Sequence, residues 1–64
     1  MIEHDKPIVK GPIDGNAYAV MGAVKRALRK AGLAHLVEEY VARAIGGDYD
    51  HLLAVSQEYV DFDL

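Results

Sequence analysis

Histidine and aspartate residues are the first candidates for chemistry in this chain, because they can bind a metal ion or move a proton. His4, His35 and His51 are far apart, and none has a histidine four residues on, as zinc enzymes with a His-Glu-x-x-His motif do. The tightest group is Asp48, Asp50 and His51, which lacks the glycine and distal glutamate of a calcium loop. We expect no metal site, and we interpret Asp48 or Asp50 as a helix N-cap.

Ser56 and the pair Glu38 and Glu39 are the candidates for catalysis. Ser56 has no Gly-x-Ser-x-Gly context, and helical periodicity places both glutamates on a solvent-facing side. The chain has no cysteine, which excludes disulfides and thiolate metal sites. We therefore expect no catalytic residue, no metal and no cofactor, so the protein is predicted not to be an enzyme.

The turn Gly15, Asn16 and Ala17 is a candidate anion site, because N–H groups at a helix start can hold a phosphate or carboxylate. A phosphate-binding loop would need more glycines and a Lys-Ser/Thr pair, which are absent, and Asp14 would repel an anion. Two interpretations remain open. Asn16 is a plain N-cap, or the turn captures a small anionic ligand such as a nucleotide.

A cluster of cations is a candidate for contact with nucleic-acid phosphates; its members are Lys25, Arg26, Arg29 and Lys30. The surrounding helix-Gly32-helix pattern superficially resembles a helix-turn-helix. However, the second helix presents Glu38 and Glu39 where base-contacting Arg, Asn or Gln should lie, and the net charge is −3. A solvated helix face, or a docking surface for an acidic partner or for another copy's acidic tail, is favoured over DNA binding.

One helix, predicted from Ala17 to Ala31, positions most of these candidates. Asn16 is a good N-cap, and Gly32 can adopt the left-handed conformation that ends a helix. The apolar residues recur at spacings of three and four, which puts them on one inward face. They are Val20, Met21, Val24, Leu28 and Ala31.

Gly22 interrupts this helix, where glycine costs about 1 kcal/mol relative to alanine. Its neighbours Ala19 and Ala23 are also small, and the distance between packed helices depends on the side chains at the contact. We infer that another helix approaches closely at Ala19, Gly22 and Ala23, either within the molecule or across a dimer. The alternatives are a tolerated glycine and a ligand lying against the bare backbone.

The remaining pattern predicts an α+β, mostly α fold in the order β-α-α-α-β. We expect a flexible lead-in over residues 1–7 and a single domain over 8–64, which begins with a short strand at residues 8–10. A second amphipathic helix runs from Leu33 to Ile45, and a third carries the stripe Tyr49, Leu52, Leu53 and Ser56. Alternation of Val60, Phe62 and Leu64 predicts a final strand. The two strands pair with each other, or with a second copy of the protein.

The length of the chain and its apolar segments indicate where the protein is located and whether it needs a partner subunit. No segment approaches the roughly 20 apolar residues of a membrane span, and the N-terminus lacks a signal-peptide pattern, so we expect a cytoplasmic protein without membrane contact. A chain of 64 residues without disulfides has a thin core. A partner subunit is therefore expected, most simply in a homodimer.

Several short motifs together resemble a family of short uncharacterised proteins of bacteria, their phages and integrated mobile elements. These motifs are Gly15-Asn16-Ala17, Gly22, Val24, Arg26-Ala27-Leu28, Ala31-Gly32, Gly47-Asp48-Tyr49-Asp50-His51-Leu52-Leu53 and Tyr59-Val60-Asp61. The resemblance implies a mobile-element setting and no catalytic residue. The sequence thus predicts a small binding protein of phage or mobile-element origin that engages a protein partner and self-associates.

Overall fold

Three helices form most of the protein, and a small ribbon joins its two ends. The computed structural model describes residues 6–64. In chain order the elements are β1 (Ile8–Lys10), α1 (Ala17–Lys30), a 3₁₀ turn (Ala34–Leu36), α2 (Val37–Ala44), α3 (Tyr49–Tyr59) and β2 (Asp61–Asp63). The predicted β-α-α-α-β order and the α+β, mostly α class are confirmed. Residues 1–5 of the predicted lead-in lie outside the described residues.

Helix α1 begins at Ala17 as the sequence predicts and ends at Lys30, one residue before the predicted end. The side-chain oxygen of Asn16 accepts a hydrogen bond from the Ala19 N–H at 2.8 Å. At the other end Gly32 has φ +79°, and the Leu33 N–H reaches back to the Leu28 carbonyl at 2.8 Å. This Schellman arrangement satisfies carbonyls that the helix itself leaves unpaired. Ala31, predicted to face inward, is exposed because it lies beyond the last helical residue.

The second predicted helix is divided. A 3₁₀ turn precedes α2, and neither Leu33 nor Leu36, the two cap residues, can supply a side-chain hydrogen bond to a helix start. The tighter turn satisfies backbone groups locally, as the Leu36 N–H does with the Leu33 carbonyl at 2.9 Å. Val37, Tyr40 and Ala44 are buried as predicted. Ile45 is exposed, contrary to its place in the predicted stripe, since α2 ends one residue before it.

Helix α3 uses Asp48 rather than Asp50 as its N-cap, with the Asp48 carboxylate accepting from the His51 N–H at 2.9 Å. Its inward face is rotated from the predicted stripe. The buried residues are Leu52, Val55, Ser56 and Tyr59. Tyr49 lies at the exposed start of the helix, so its predicted burial is wrong, while Leu53 is half-buried at the margin of the core.

A polar contact lies inside the core where α2 meets α3. The Ser56 hydroxyl donates to the Leu52 carbonyl at 2.7 Å. Having one proton, that hydroxyl must accept from Tyr40, whose oxygen is 2.6 Å away. The Tyr40 ring meets Tyr59 edge-on with 5.3 Å between centroids. Tyr40 belongs to one core cluster with buried apolar residues of α1, α2, α3 and β1, among them Val9, Val20, Val24, Leu28, Val37 and Leu52.

The two strands pair within one chain, in parallel, which settles the alternatives left open by the sequence. Val9 lies opposite Phe62, and Val9 is buried against the helices. The ladder extends by one hydrogen bond at each end, from the Asp61 N–H to the Pro7 carbonyl and from the Gly11 N–H to the Asp63 carbonyl, both at 3.0 Å. Leu64, predicted to continue the buried alternation, is exposed because the strand ends before it.

Within residues 6–64, no helix combines the length and the apolar character required to cross a membrane.

Candidate functional site

An exposed apolar groove lies between the start of α1 and the connection from α2 to α3. It has a volume of about 300 Å³. Tyr18, Ile45 and Tyr49 line it and are 85%, 63% and 41% exposed, and Met21 and Leu52 complete its apolar wall. In the described part of the chain, five large apolar side chains are exposed, and three of them converge here. Such clustering distinguishes a binding surface from scattered surface apolar residues.

Local helix chemistry places each of these three side chains. The Asn16 cap fixes the first turn of α1, from which Tyr18 projects. Ile45 follows the last residue of α2, and the Asp48 cap sets Tyr49 as the first residue of α3. The Tyr49 hydroxyl donates to the Gly15 carbonyl, so the start of α3 is tied to the start of α1.

The predicted anion site at Gly15, Asn16 and Ala17 lies beside this groove. Three of its polar groups have partners in the chain: the Asn16 side-chain oxygen accepts from the Ala19 N–H, the Asn16 N–H donates to the Asp14 carboxylate at 3.4 Å, and the Gly15 carbonyl accepts from Tyr49. The plain N-cap is therefore present as predicted. Capture of an anion in addition stays a prediction, and the exposed Asp14 carboxylate opposes it.

Gly22 is not covered by another helix of the same chain. A Cβ atom built on Gly22 would contact only Nη1 of Arg26, at 3.4 Å, in ordinary van der Waals range. At Gly22, which is half-buried, no other element of the described chain comes within 4 Å of that position, so no helix of the same chain approaches closely there. Ala23 is buried in the core and Ala19 is half-buried. Close approach across a dimer stays a prediction, and the cost of about 1 kcal/mol for glycine in this helix has no compensation within the described chain.

The predicted basic cluster occupies the second half of α1; Arg26, Arg29 and Lys30 are exposed and Lys25 is half-buried. The ion pairs of residues 6–64 are Lys6 with Asp61 and Arg43 with Glu58. Hence no carboxylate of that part of the chain lies within salt-bridge distance of the cluster. The four cations are available to a partner, and nucleic-acid binding by them stays a prediction.

A polar cluster between α2 and α3 is absent from the sequence-based candidates. The Tyr59 hydroxyl donates to Glu39 and accepts from Nη1 of Arg43 at 3.2 Å. Nη2 of Arg43 also binds Glu58 at 2.8 Å. Burial, and then the hydrogen bond to Glu39, raises the pKa of Tyr59 above its ordinary value, so the phenol stays protonated at neutral pH. This favours a structural hydrogen bond over base catalysis.

One part of the cluster of Glu39, Arg43, Glu58 and Tyr59 can be predicted from sequence spacing. Glu39 and Arg43 are four residues apart and therefore share a face of α2, where an i, i+4 pair is expected. What the spacing cannot show is that Tyr59, 16 residues beyond Arg43, enters between them.

Within the group Asp48, Asp50 and His51, the first and the last make hydrogen bonds at the start of α3. Asp48 caps the helix, and Nε2 of His51 lies 2.8 Å from the Arg43 carbonyl at the end of α2. Among residues 6–64 there is no group of three or more His, Asp or Glu side chains placed to hold a metal ion. His4 lies outside the described residues.

Comparison of the chain with protein-family models, with curated proteins and with solved structures found no match.

Proposed function

We propose that this protein is a small non-enzymatic interaction protein that binds a partner protein through the groove formed by Tyr18, Ile45 and Tyr49. The observation that carries this proposal is the convergence of three exposed large apolar side chains on one concavity. Two of them are tyrosines, which offer a large rigid contact area and a polar tip. Tyrosine is enriched at interfaces and among their energetically dominant residues.

The groove suits a protein segment that inserts an apolar side chain. Its lining is apolar at Met21, Ile45 and Leu52, and it also includes the exposed polar residue Asp48 and the amphipathic Tyr18. Protein interfaces usually combine apolar and aromatic contacts with some polar groups. Water released from Ile45 and the tyrosine rings would supply the driving force.

The test is affinity capture from cells in which the protein is native, with three baits. Wild type is compared with Ile45→Lys and with the matched control Ala54→Lys, which introduces the same charge at an exposed position of α3 that does not line the groove. We expect at least one protein captured by wild type and Ala54→Lys but depleted about tenfold with Ile45→Lys, since burying an unpaired charge costs more than 1.4 kcal/mol. Equal capture by all three baits would contradict a role for the groove.

Self-association is the second part of the proposal. Supporting it are the thin core expected of a 64-residue chain and Gly22, which no other element of the described chain covers and whose helix-propensity cost is unexplained within one molecule. Light scattering after size exclusion, from 10⁻⁶ to about 10⁻³ M, spans the range expected of a small interface. A molecular mass of one chain across that range rejects self-association. The family resemblance of the sequence supports a phage or mobile-element setting for this activity.

A further inference from the structure

The outward face of α1 carries a row of residues spaced by four, here called the Gly22 row: Tyr18, Gly22, Arg26 and Lys30. Residues four apart lie above one another on a helix, about 6 Å along its axis. Tyr18 is 85% exposed, and Arg26 and Lys30 are exposed. Gly22 is half-buried, and within residues 6–64 the only atom near its Cβ position is the flexible end of Arg26, with Nη1 at 3.4 Å. The row is thus an unpartnered helix face with glycine at its centre.

The Gly22 row is complementary to itself when it is reversed about Gly22. An aromatic ring lies four residues before the glycine and a guanidinium lies four residues after it. We infer that two copies of the protein pair antiparallel through this row, with the two-fold axis at Gly22, so that Tyr18 packs against Arg26 of the partner subunit. The inference rests on the self-association proposed above, and it adds the surface, the orientation and the contacting pair. Arginine over a tyrosine ring is a favourable cation–π contact.

Charge at the two ends of α1 selects the antiparallel orientation. Asp14 lies just before the helix, and Arg29 and Lys30 are its last basic residues. Antiparallel pairing brings the acidic start of one helix to the basic end of the other, and it also aligns the helix dipoles favourably. Parallel pairing would place the cations of Arg26, Arg29 and Lys30 against their own copies. Arg26 has no carboxylate partner in residues 6–64 that would compete with the contact.

In this arrangement, Gly22 allows the two α1 helices to approach closely at the two-fold axis. Two helices approach more closely when the side chains at their contact are small. A close approach at Gly22 lets Tyr18 and Arg26 of the partner subunit meet on both sides of the axis. Such an interface is small, so we expect a dissociation constant in the micromolar range or weaker.

The first experiment measures the dimer dissociation constant by analytical ultracentrifugation. Gly22→Leu should raise that constant at least about tenfold. At concentrations where the single chain dominates it should not lower the melting temperature, because a Cβ at Gly22 meets only the flexible end of Arg26 in the described chain. Tyr18→Lys should raise it by at least a similar factor through repulsion from Arg26 of the partner subunit. The double variant Tyr18→Lys with Arg26→Glu should restore it to within about threefold of wild type, since opposite charges then meet across the axis.

The second experiment uses the absence of native cysteine to map the axis directly. Gly22→Cys places two thiols at the two-fold axis, within the Cα separation of roughly 4.4–6.8 Å that a disulfide requires. Arg29→Cys is the matched control on the same helix. Its two thiols would be separated by about 21 Å along the paired helices, seven residues from the axis on each side at 1.5 Å per residue. Under mild oxidation only Gly22→Cys should give a cross-linked dimer.

The outcomes separate this inference from the proposed self-association. A wild-type dimer that is weakened by Gly22→Leu and rescued by the charge-paired double variant supports the Gly22 row. A wild-type dimer unaffected by Gly22→Leu, or cross-linked as readily through Arg29→Cys, overturns the inference and leaves self-association by another surface. A wild type that stays monomeric throughout overturns both. The groove shares Tyr18 with the Gly22 row, so capture of a partner there is tested with Ile45→Lys, a residue outside the row.

Discussion

The hydroxyl of Tyr49 donates a hydrogen bond to the carbonyl oxygen of Gly15, 34 residues earlier in the chain. This bond joins the first residue of α3 to the residue that precedes the N-cap of α1. It leaves 41% of Tyr49 exposed, and the tyrosine therefore has two roles. Its polar tip fixes the edge of the groove, and its apolar body forms part of the groove wall.

Tyr49→Phe should lower the free energy of unfolding by about 0.5–1.5 kcal/mol, because the ring stays and one partly exposed hydrogen bond is lost. Urea denaturation followed by circular dichroism measures the change. Tyr18→Phe is the control, since the Tyr18 hydroxyl has no hydrogen bond in residues 6–64 and its removal should change stability by less than about 0.5 kcal/mol. Equal effects of the two substitutions would show that the bond to Gly15 contributes nothing.

Ser56→Ala should be clearly more destabilising than Tyr40→Phe. The alanine leaves the buried Tyr40 hydroxyl without an acceptor, at a cost of about 1–3 kcal/mol, whereas Tyr40→Phe leaves Ser56 bonded to the Leu52 carbonyl. Combining both substitutions should recover part of the loss, because the unsatisfied hydroxyl is then gone. Urea midpoints of the three variants test this order. Strictly additive losses would argue against the hydrogen bond between Tyr40 and Ser56.

Stability should fall as the pH rises above about 10, the ordinary pKa of tyrosine. Burial raises the pKa of both Tyr40 and Tyr59, so in this range the folded protein holds protons that the unfolded chain has released. These phenols contribute their full stabilisation below about pH 10, and the contribution is lost as the pH rises through their folded-state pKa values. Urea unfolding from pH 8 to 11 measures the slope. Tyr59→Phe should reduce it, and an unchanged slope would contradict the assignment.

Gly22→Ala and Gly32→Ala should shift stability in opposite directions. At Gly22 the methyl group has room, and alanine should add about 1 kcal/mol to the free energy of unfolding through its helix propensity. At Gly32 there is also room, but φ is +79°, so the same substitution should cost about 1–2 kcal/mol in backbone strain. Both are measured at concentrations low enough for the single chain to dominate. A loss with Gly22→Ala would mean that Gly22 has a structural role inside the molecule.

The boundaries of α1 could be predicted from local sequence rules. The N-cap at Asn16 and the stop at Gly32 depend on side-chain and backbone chemistry within one turn, and the structure confirms both. The predicted strands are present for the same reason, since β-branched and alternating residues mark them. Their parallel pairing was beyond such rules, because Val9 and Phe62 belong to opposite ends of the sequence.

The wrong burial predictions concern residues whose exposure depends on where a helix ends and on contacts between helices. Ile45 continues the apolar period of α2, but the helix ends at Ala44 and leaves it in the groove. Tyr49 fits a plausible stripe on α3, yet its hydroxyl finds Gly15 on another helix. Ile45 and Tyr49, the two residues whose predicted burial is wrong, line the groove together with the exposed Tyr18. The candidate site therefore lies where apolar residues fail to follow the burial pattern, which a single sequence does not reveal.

The parallel ribbon also has a mechanical consequence. Because β1 and β2 run in the same direction, tension applied to the chain on either side of them pulls one strand lengthwise past the other. The hydrogen bonds from Asp61 to Pro7 and from Gly11 to Asp63 then share the load with the rungs between them, and they do not break one after another. Stretched through its two flanks, the molecule resists in shear, the geometry in which a three-rung ladder is strongest.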